Sequence, residues 1–264
     1  RGMFLLNYIH GELWRALRKT GSAVFFFMML ALPVGANAVF AFLNFSWRTY
    51  QGQADTPFLF SNSLSYLSAV IPLFGCLLVF FTSDLVFGDE LRFHTLKNSV
   101  ASGMGRGTLY FGKLLAGFLY SLLGLAVAVI SLLVSGLLLL PWDLGELPGL
   151  LGGFFLHLLA CIPLWLGVLG FLNFLLFSIQ SGVVIAALSA AAAFFGLLFL
   201  SALPVADPVS FYLPAWFLQL SGYAAGISAG YTPEFLAGCW GIGLLYTAVF
   251  SAAGYLGFFR RELK

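Results

Sequence analysis

Apolar residues run through this chain in long stretches, and polar clusters cut them into lengths near that of a bilayer crossing. Read between those breaks, the pattern predicts six helices, at about 22–45, 64–87, 108–140, 149–178, 182–203 and 235–259. Each approaches or exceeds the roughly 20 residues that a helix needs to cross the hydrocarbon layer. The third and fourth are longer than one bilayer thickness and are expected to tilt, protrude or kink. Pro33, Pro72 and Pro163 fall inside spans. Neighbouring helices can satisfy the carbonyls that a proline leaves free there.

Two further segments have patterns of their own. In residues 1–21, Phe4, Leu5, Tyr8, Ile9, Leu13 and Leu17 recur at helical spacing, while His10, Glu12, Arg15, Arg18 and Lys19 fall largely elsewhere. That is an amphipathic helix suited to lying in a membrane interface and leading into the first span. Residues 204–234 are apolar and aromatic but broken by Pro204, Pro208, Pro214 and Pro233. They are too interrupted to span, and a pair of short re-entrant helices shielded by protein is expected instead. Within them, Gly222, Gly226 and Gly230 recur every four residues and form one small face for close helix contact.

Composition settles the class. With 61% hydrophobic and 8% charged residues, 30 Phe and a mean hydropathy of +1.00, the chain carries more apolar surface than a soluble core of 264 residues could bury. The expectation is an all-α membrane protein: an interface helix over 1–21, then a six-helix transmembrane domain over 22–264. No cleavable signal peptide is expected, because the positive charges follow the first apolar residues instead of preceding them. Six spans would place Arg1, Arg15, Arg18, Lys19, Arg92, Lys97, Arg106, Lys113, Arg260, Arg261 and Lys264 on one side and leave Arg48 on the other. By the positive-inside rule that side is the cytoplasm, with both termini in it.

The candidate chemistry is sparse. Cys76, Cys161 and Cys239 are scattered singly, so neither a zinc site nor a disulfide framework is indicated. The histidines are His10, His94 and His157, and no HExxH or paired-carboxylate motif falls in a span. No catalytic residue and no metal ligand is assigned, and no phosphate-binding GxxxxGK[ST] loop is present; any ATP-driven work would use nucleotide on another chain. Asn37, Asn44, His157 and Asn173 are polar groups inside spans. Such groups line translocation paths or bond neighbouring helices, the latter worth roughly 0.6–2 kcal/mol each. Both readings stay open for these four.

The densest charge lies in the middle of the chain. Asp84, Asp89, Glu90, Arg92, Lys97, Arg106 and Lys113 fall within thirty residues. Gly88, Asp89 and Glu90 follow the second span, where acidic groups favour a helix start. Leu91, Phe93 and Leu96 give the following turn apolar sides, and Gly103, Gly105 and Gly107 break it before the third span. The expected element is a short cytoplasmic helix over about 89–101, suited to a groove on a soluble partner.

The run from Phe87 to Leu115, FGDELRFHTLKNSVASGMGRGTLYFGKLL, resembles the signature region of ABC-2-type transporter permeases. The matching elements are Glu90, Thr95-Leu96-Lys97-Asn98, the break at Gly103 to Gly105, Arg106, and Tyr110 with Gly112-Lys113-Leu114-Leu115. His94 stands where that family usually has Gly. The resemblance implies the transmembrane permease subunit of a bacterial exporter in the inner (plasma) membrane. Two copies, or two related permeases, would pair with two ATP-binding-cassette ATPase subunits, which bind the ATP and Mg. The 89–101 segment would be the coupling helix, with Phe93, Leu96 and Lys97 contacting the ATPase and Glu90 and Arg106 holding the loop's ends by charge pairing. Spans rich in Phe, Leu, Ala and Gly suit an amphipathic or hydrophobic cargo such as a peptide toxin, bacteriocin or drug. The alternatives are a polysaccharide exporter and a non-transporting membrane assembly subunit.

Overall fold

The computed structural model describes residues 2–51, 58–92, 96–101, 103–179, 213–223 and 231–260. Eight helices fall among them: α1 (Gly2–Leu17), α2 (Thr20–Gln51), α3 (Phe60–Arg92), α4 (Leu96–Ala101), α5 (Arg106–Leu139), α6 (Leu147–Ile179), α7 (Leu213–Tyr223) and α8 (Pro233–Arg260). No strand occurs among the described residues. Helices α2, α3, α5, α6 and α8 are long and apolar enough to cross a membrane. Their 28 to 34 residues correspond to about 42–51 Å at 1.5 Å per residue, well beyond a 30 Å hydrocarbon layer. They match five of the six expected spans to within a few residues at most ends. The expected span at 182–203 lies outside the described residues, as do Gly226 and Gly230.

Small residues decide how closely these helices approach. On α5, Gly124 receives the Phe25 ring of α2, and a Cβ there would lie 2.5 Å from that ring. Gly136 in the same way receives Phe60 of α3, at 2.6 Å. The α6–α8 pair is tighter still, with backbone against backbone. A Cβ on Gly243 would lie 2.2 Å from the Pro163 carbonyl oxygen, and one on Gly167 would lie 3.2 Å from the Gly243 carbonyl oxygen. In lipid, van der Waals packing of this kind replaces the hydrophobic drive that pairs helices in water. Helix α6 is the most enclosed, whereas α2 leaves Phe27, Val39, Phe42 and Phe45 exposed, as a lipid-facing span would.

Trp165 cross-links α3 and α6. Its ring lies over Gly75, and its indole N–H donates to the Pro72 carbonyl at 2.9 Å. Helix α7, eleven residues and about 16 Å long, is too short to cross. It packs Trp216 over Gly238 of α8 and buries Leu213, Phe217 and Leu220. It is one short helix in the stretch where a re-entrant pair was expected, and the rest of 204–230 lies outside the described residues. Gly222 meets nothing within 4 Å of a built Cβ, so it forms no close contact among the described residues.

Gly243 and Gly241 give a paired test of the α6–α8 contact. Gly243→Ala pushes a methyl into a backbone carbonyl and is expected to lower the melting temperature in detergent by several degrees, an overpacking cost of about 1–3 kcal/mol or more. Gly241→Ala meets nothing within 4 Å and is expected to be neutral or slightly stabilising, since Ala favours a helix interior by up to about 1 kcal/mol over Gly. Tryptophan-fluorescence melting of both variants checks the pair.

Candidate functional site

Four charged side chains from three helices meet at the end of the bundle that carries α4. Lys113 of α5 has no exposed side-chain surface, and Glu90 and Glu12 are almost as deeply buried. Its ammonium donates to Glu12 Oε2 at 2.6 Å, to Glu90 Oε1 at 2.7 Å and to the Val86 carbonyl at 3.2 Å. Arg15 of α1 donates to the same three groups, at 2.6, 2.9 and 3.2 Å. Two cations and two carboxylates thus form a neutral, interlocked quartet. Burying an unpaired ion costs several kcal/mol, so each charge here depends on the others.

Local sequence explains how the three helices deliver these groups. Glu12 and Arg15 lie three residues apart, one turn along α1. Val86 and Glu90 lie four apart, so the α3 carbonyl and carboxylate face the same two cations. Gly112 lets α1 close onto α5, because a Cβ there would lie 2.5 Å from the Tyr8 ring. Burial pushes the Tyr8 phenol up, and the negative charges of Glu12 and Glu90 push it further, so it stays protonated. Burial pulls the Arg15 guanidinium down, but Glu12 and Glu90 outweigh that and leave it raised, so it stays charged.

A second layer surrounds the quartet. Lys19 pairs with Asp89 at 2.7 Å and donates to the Leu85 carbonyl at 2.6 Å, while the Ser22 hydroxyl donates to the Ala16 carbonyl. Phe87 lies 5.3 Å below the Lys113 ammonium, a cation–π distance, and packs edge-on against Phe177 of α6. Phe177 in turn touches Tyr110 of α5 and Phe258 of α8, with centroids 4.7 and 4.6 Å away. An aromatic block therefore links the ions to α6 and α8.

The structure differs here from the sequence expectation in three ways. Asp89 and Glu90 do not start a new helix; α3 runs through them to Arg92, because Glu90 must stay in register with Val86 to reach Lys113 and Arg15. The separate helix is Leu96–Ala101 alone. It ends in a Schellman pattern, with Gly103 N–H bonded to Val100 O and Met104 N–H to Ser99 O. Gly103 takes φ 91°, a backbone state that favours glycine, whereas Gly107 lies within α5. Second, Glu90 and Arg106 have separate anchors. Arg106 donates to the Phe258 and Phe259 carbonyls at the C-terminus of α8, where a cation is favoured. Third, α1 turns most of its apolar stripe inward: Leu5, Tyr8, Ile9 and Leu13 pack on the bundle with the charged Glu12, while Leu17 stays exposed. Phe93 lies outside the described residues, and Leu96 and Lys97 fall in α4.

The four polar span residues occupy different places. Asn37 of α2 donates to the Leu132 carbonyl at 3.0 Å and to Ser135 Oγ at 2.8 Å, and accepts from the Ser63 hydroxyl at 2.5 Å. It is a three-helix knot of α2, α3 and α5. Asn44 bonds both the carbonyl and the N–H of Phe58, at 2.7 and 3.0 Å, and so closes the α2–α3 connection. His157, fully buried, shares a 2.5 Å hydrogen bond between Nδ1 and the Tyr231 hydroxyl. Asn173 lies between α5 and α8, beside Tyr110 and Ser251. The described contacts do not bring the four together.

Sequence reasoning missed Glu12, Arg15 and Lys113 as site residues. The available signal was that Glu12 and Lys113 are charges flanked by apolar residues on helices that also carry Tyr8 and Gly112. With the five apolar helices and the buried quartet, the chain is a multi-pass helical membrane protein. No protein-family model matches it, and no curated protein matches it either.

Removing one member should expose the interdependence of the four charges. Lys113→Met leaves two buried carboxylates facing one cation and is expected to cost about 3–5 kcal/mol of stability. Adding Glu90→Gln restores neutrality and should recover part of that loss. A double-mutant cycle in detergent reads both, and strict additivity of the two substitutions would contradict a coupled quartet.

Proposed function

We propose that this chain is the permease subunit of an ATP-binding-cassette exporter, moving an amphipathic or hydrophobic cargo driven by a separate ATPase. The observation that carries the reading is the placement of α4. It is a six-residue helix on the short connection between α3 and α5, two long apolar helices whose adjoining ends are held together by Glu90 and Lys113. The order of residues from Phe87 to Leu115 supports it, through its likeness to the permease signature.

On this reading α4 is the coupling helix. A push on it enters α3 at Arg92 and α5 at Arg106. The quartet joins those two ends to α1, so the three helices move as one body. Arg106, seated on the last carbonyls of α8, carries the displacement across to the α6–α8 pair. Both termini and α4 face the cytoplasm, a sixth span falls between α6 and α7, and a second permease copy completes the pathway. ATP and Mg belong to the partner subunits. The Phe- and Leu-rich outer surfaces suit a cargo taken from the lipid, such as a peptide toxin or a drug.

Co-expression with ATP-binding-cassette ATPases from the same genome tests the proposal. A stable complex is expected, and Phe93→Asp with Leu96→Asp is expected to dissociate it while leaving the melting temperature of the isolated permease unchanged. If no ATPase co-purifies, the reading fails.

A further inference from the structure

The sides of α1 divide among three surroundings. Ile9, Glu12 and Ala16 are buried against the bundle, while on the opposite side Leu6, Trp14 and Leu17 stand 66%, 54% and 42% exposed. At about 100° per residue these three exposed residues fall within an arc of about 80°. The exposed Arg15 and Arg18 continue around the helix from Trp14. The Arg18 N–H extends the bond pattern of α1 to the Trp14 carbonyl, which places its side chain next to the indole. The outward surface of α1 is therefore amphipathic in its own right, an apolar strip beside a basic one.

Three observations narrow what covers this surface. Only Arg18 and Lys19 separate α1 from α2, whose exposed Val24 and Phe27 begin the lipid-facing surface, so α1 sits at the edge of the hydrocarbon layer. At that level Trp is the favoured anchor, with an apolar body and a polar rim. Second, the Arg18 guanidinium lies 4.3 Å from the Trp14 ring centroid, a cation–π stack. Stacking engages the face of the guanidinium and leaves its in-plane N–H groups to grip a phosphate. Third, the charges do not cancel. Glu12, Arg15, Glu90 and Lys113 neutralise one another and Lys19 pairs with Asp89, but Arg18 has no carboxylate partner among the described residues. Beside it Gly11, one turn before Trp14 and Arg15, leaves an open notch, since a Cβ there meets nothing within 4 Å.

We propose that the outer face of α1 binds an anionic phospholipid, its phosphate on Arg18 and its acyl chains along Trp14, Leu17 and Leu6. A headgroup with net negative charge is favoured because the cation it meets is uncompensated, whereas a zwitterionic headgroup brings a cation of its own. Glu12 and Arg15 tie the other face of α1 to α3 and α5, so a lipid held here fixes the ion quartet at the membrane surface. The proposal uses the membrane-spanning character of the chain and stands apart from the exporter reading.

Native mass spectrometry of the intact, delipidated chain in detergent, titrated with phosphatidylglycerol or phosphatidylcholine, reads the site. Phosphatidylglycerol is expected to bind preferentially. Arg18→Gln should weaken that binding about fivefold, the worth of one cation near an anionic surface, with little change in the lipid-free melting temperature. Arg18→Lys should recover part of the loss. A photo-crosslinking residue at position 10, one turn from both Leu6 and Trp14, should link to lipid in native membranes. Equal binding of the two lipids overturns the proposal, as does an Arg18→Gln variant that binds phosphatidylglycerol like wild type. Displacement of the lipid by inorganic phosphate would mark a site for a soluble anion, and crosslinks from position 10 to another protein would mark a protein-docking face. Either result also overturns it.

Discussion

Charge buried in an apolar medium must be paired, and at the α4 end of this molecule that constraint governs the arrangement of three helices. Lys113 has no access to water, and its ammonium is held by two carboxylates from two other helices. Withdrawing α1 would strip Glu12 and Arg15 from the cluster, and turning α3 by a quarter turn would remove Glu90 and the Val86 carbonyl. Either leaves an ion in a low-dielectric environment, at several kcal/mol. The four residues therefore fix the position of α1, the register of α3 and the depth of α5 at once. The apolar packing elsewhere is less directional. Glycine-backed contacts such as Gly124 with Phe25 set how close helices come, not which residue faces which.

The two ends of the bundle are held by different chemistry. Opposite α4, the joints are neutral: Asn37 ties α2, α3 and α5 together, Asn44 closes the α2–α3 connection on Phe58, and the Phe60 N–H bonds the Pro141 carbonyl at 2.9 Å. These bonds satisfy polar groups that would be costly in hydrocarbon. At the α4 end the joints are ionic, with Lys19–Asp89 beside the quartet and Arg106 on the α8 carbonyls. An end held by interlocked ions behaves as a rigid block. That property suits a face which receives force, in line with the function proposed for α4.

Much of this was legible in the sequence, and the limits have physical reasons. Long apolar runs predict long helices because only a helix satisfies its own backbone in lipid, and five of the expected spans are present with ends close to those read from polar breaks. The shortness of the eleven-residue helix Leu213–Tyr223 follows from the prolines in that stretch. What the pattern could not supply was pairing across helices. Glu12, Glu90 and Lys113 lie 78 and 23 residues apart in sequence, and each alone reads as a solvated charge near a membrane surface. The helix start expected at Asp89 was misplaced for the same reason: a partner on another element held Glu90 in the α3 register. Gly103 was legible, since a glycine run after a short helix is the usual site of a left-handed stop.

The proposed function depends most on α4 being the point where an ATPase would take hold. Asn98, exposed on that helix, is the place to ask. A photo-crosslinking amino acid at position 98, activated in native membranes and read by mass spectrometry, should link this chain to an ATP-binding-cassette ATPase, more strongly with nucleotide bound. Crosslinks to lipid or to this chain alone, with the ATPase present in the same membranes, would contradict the account.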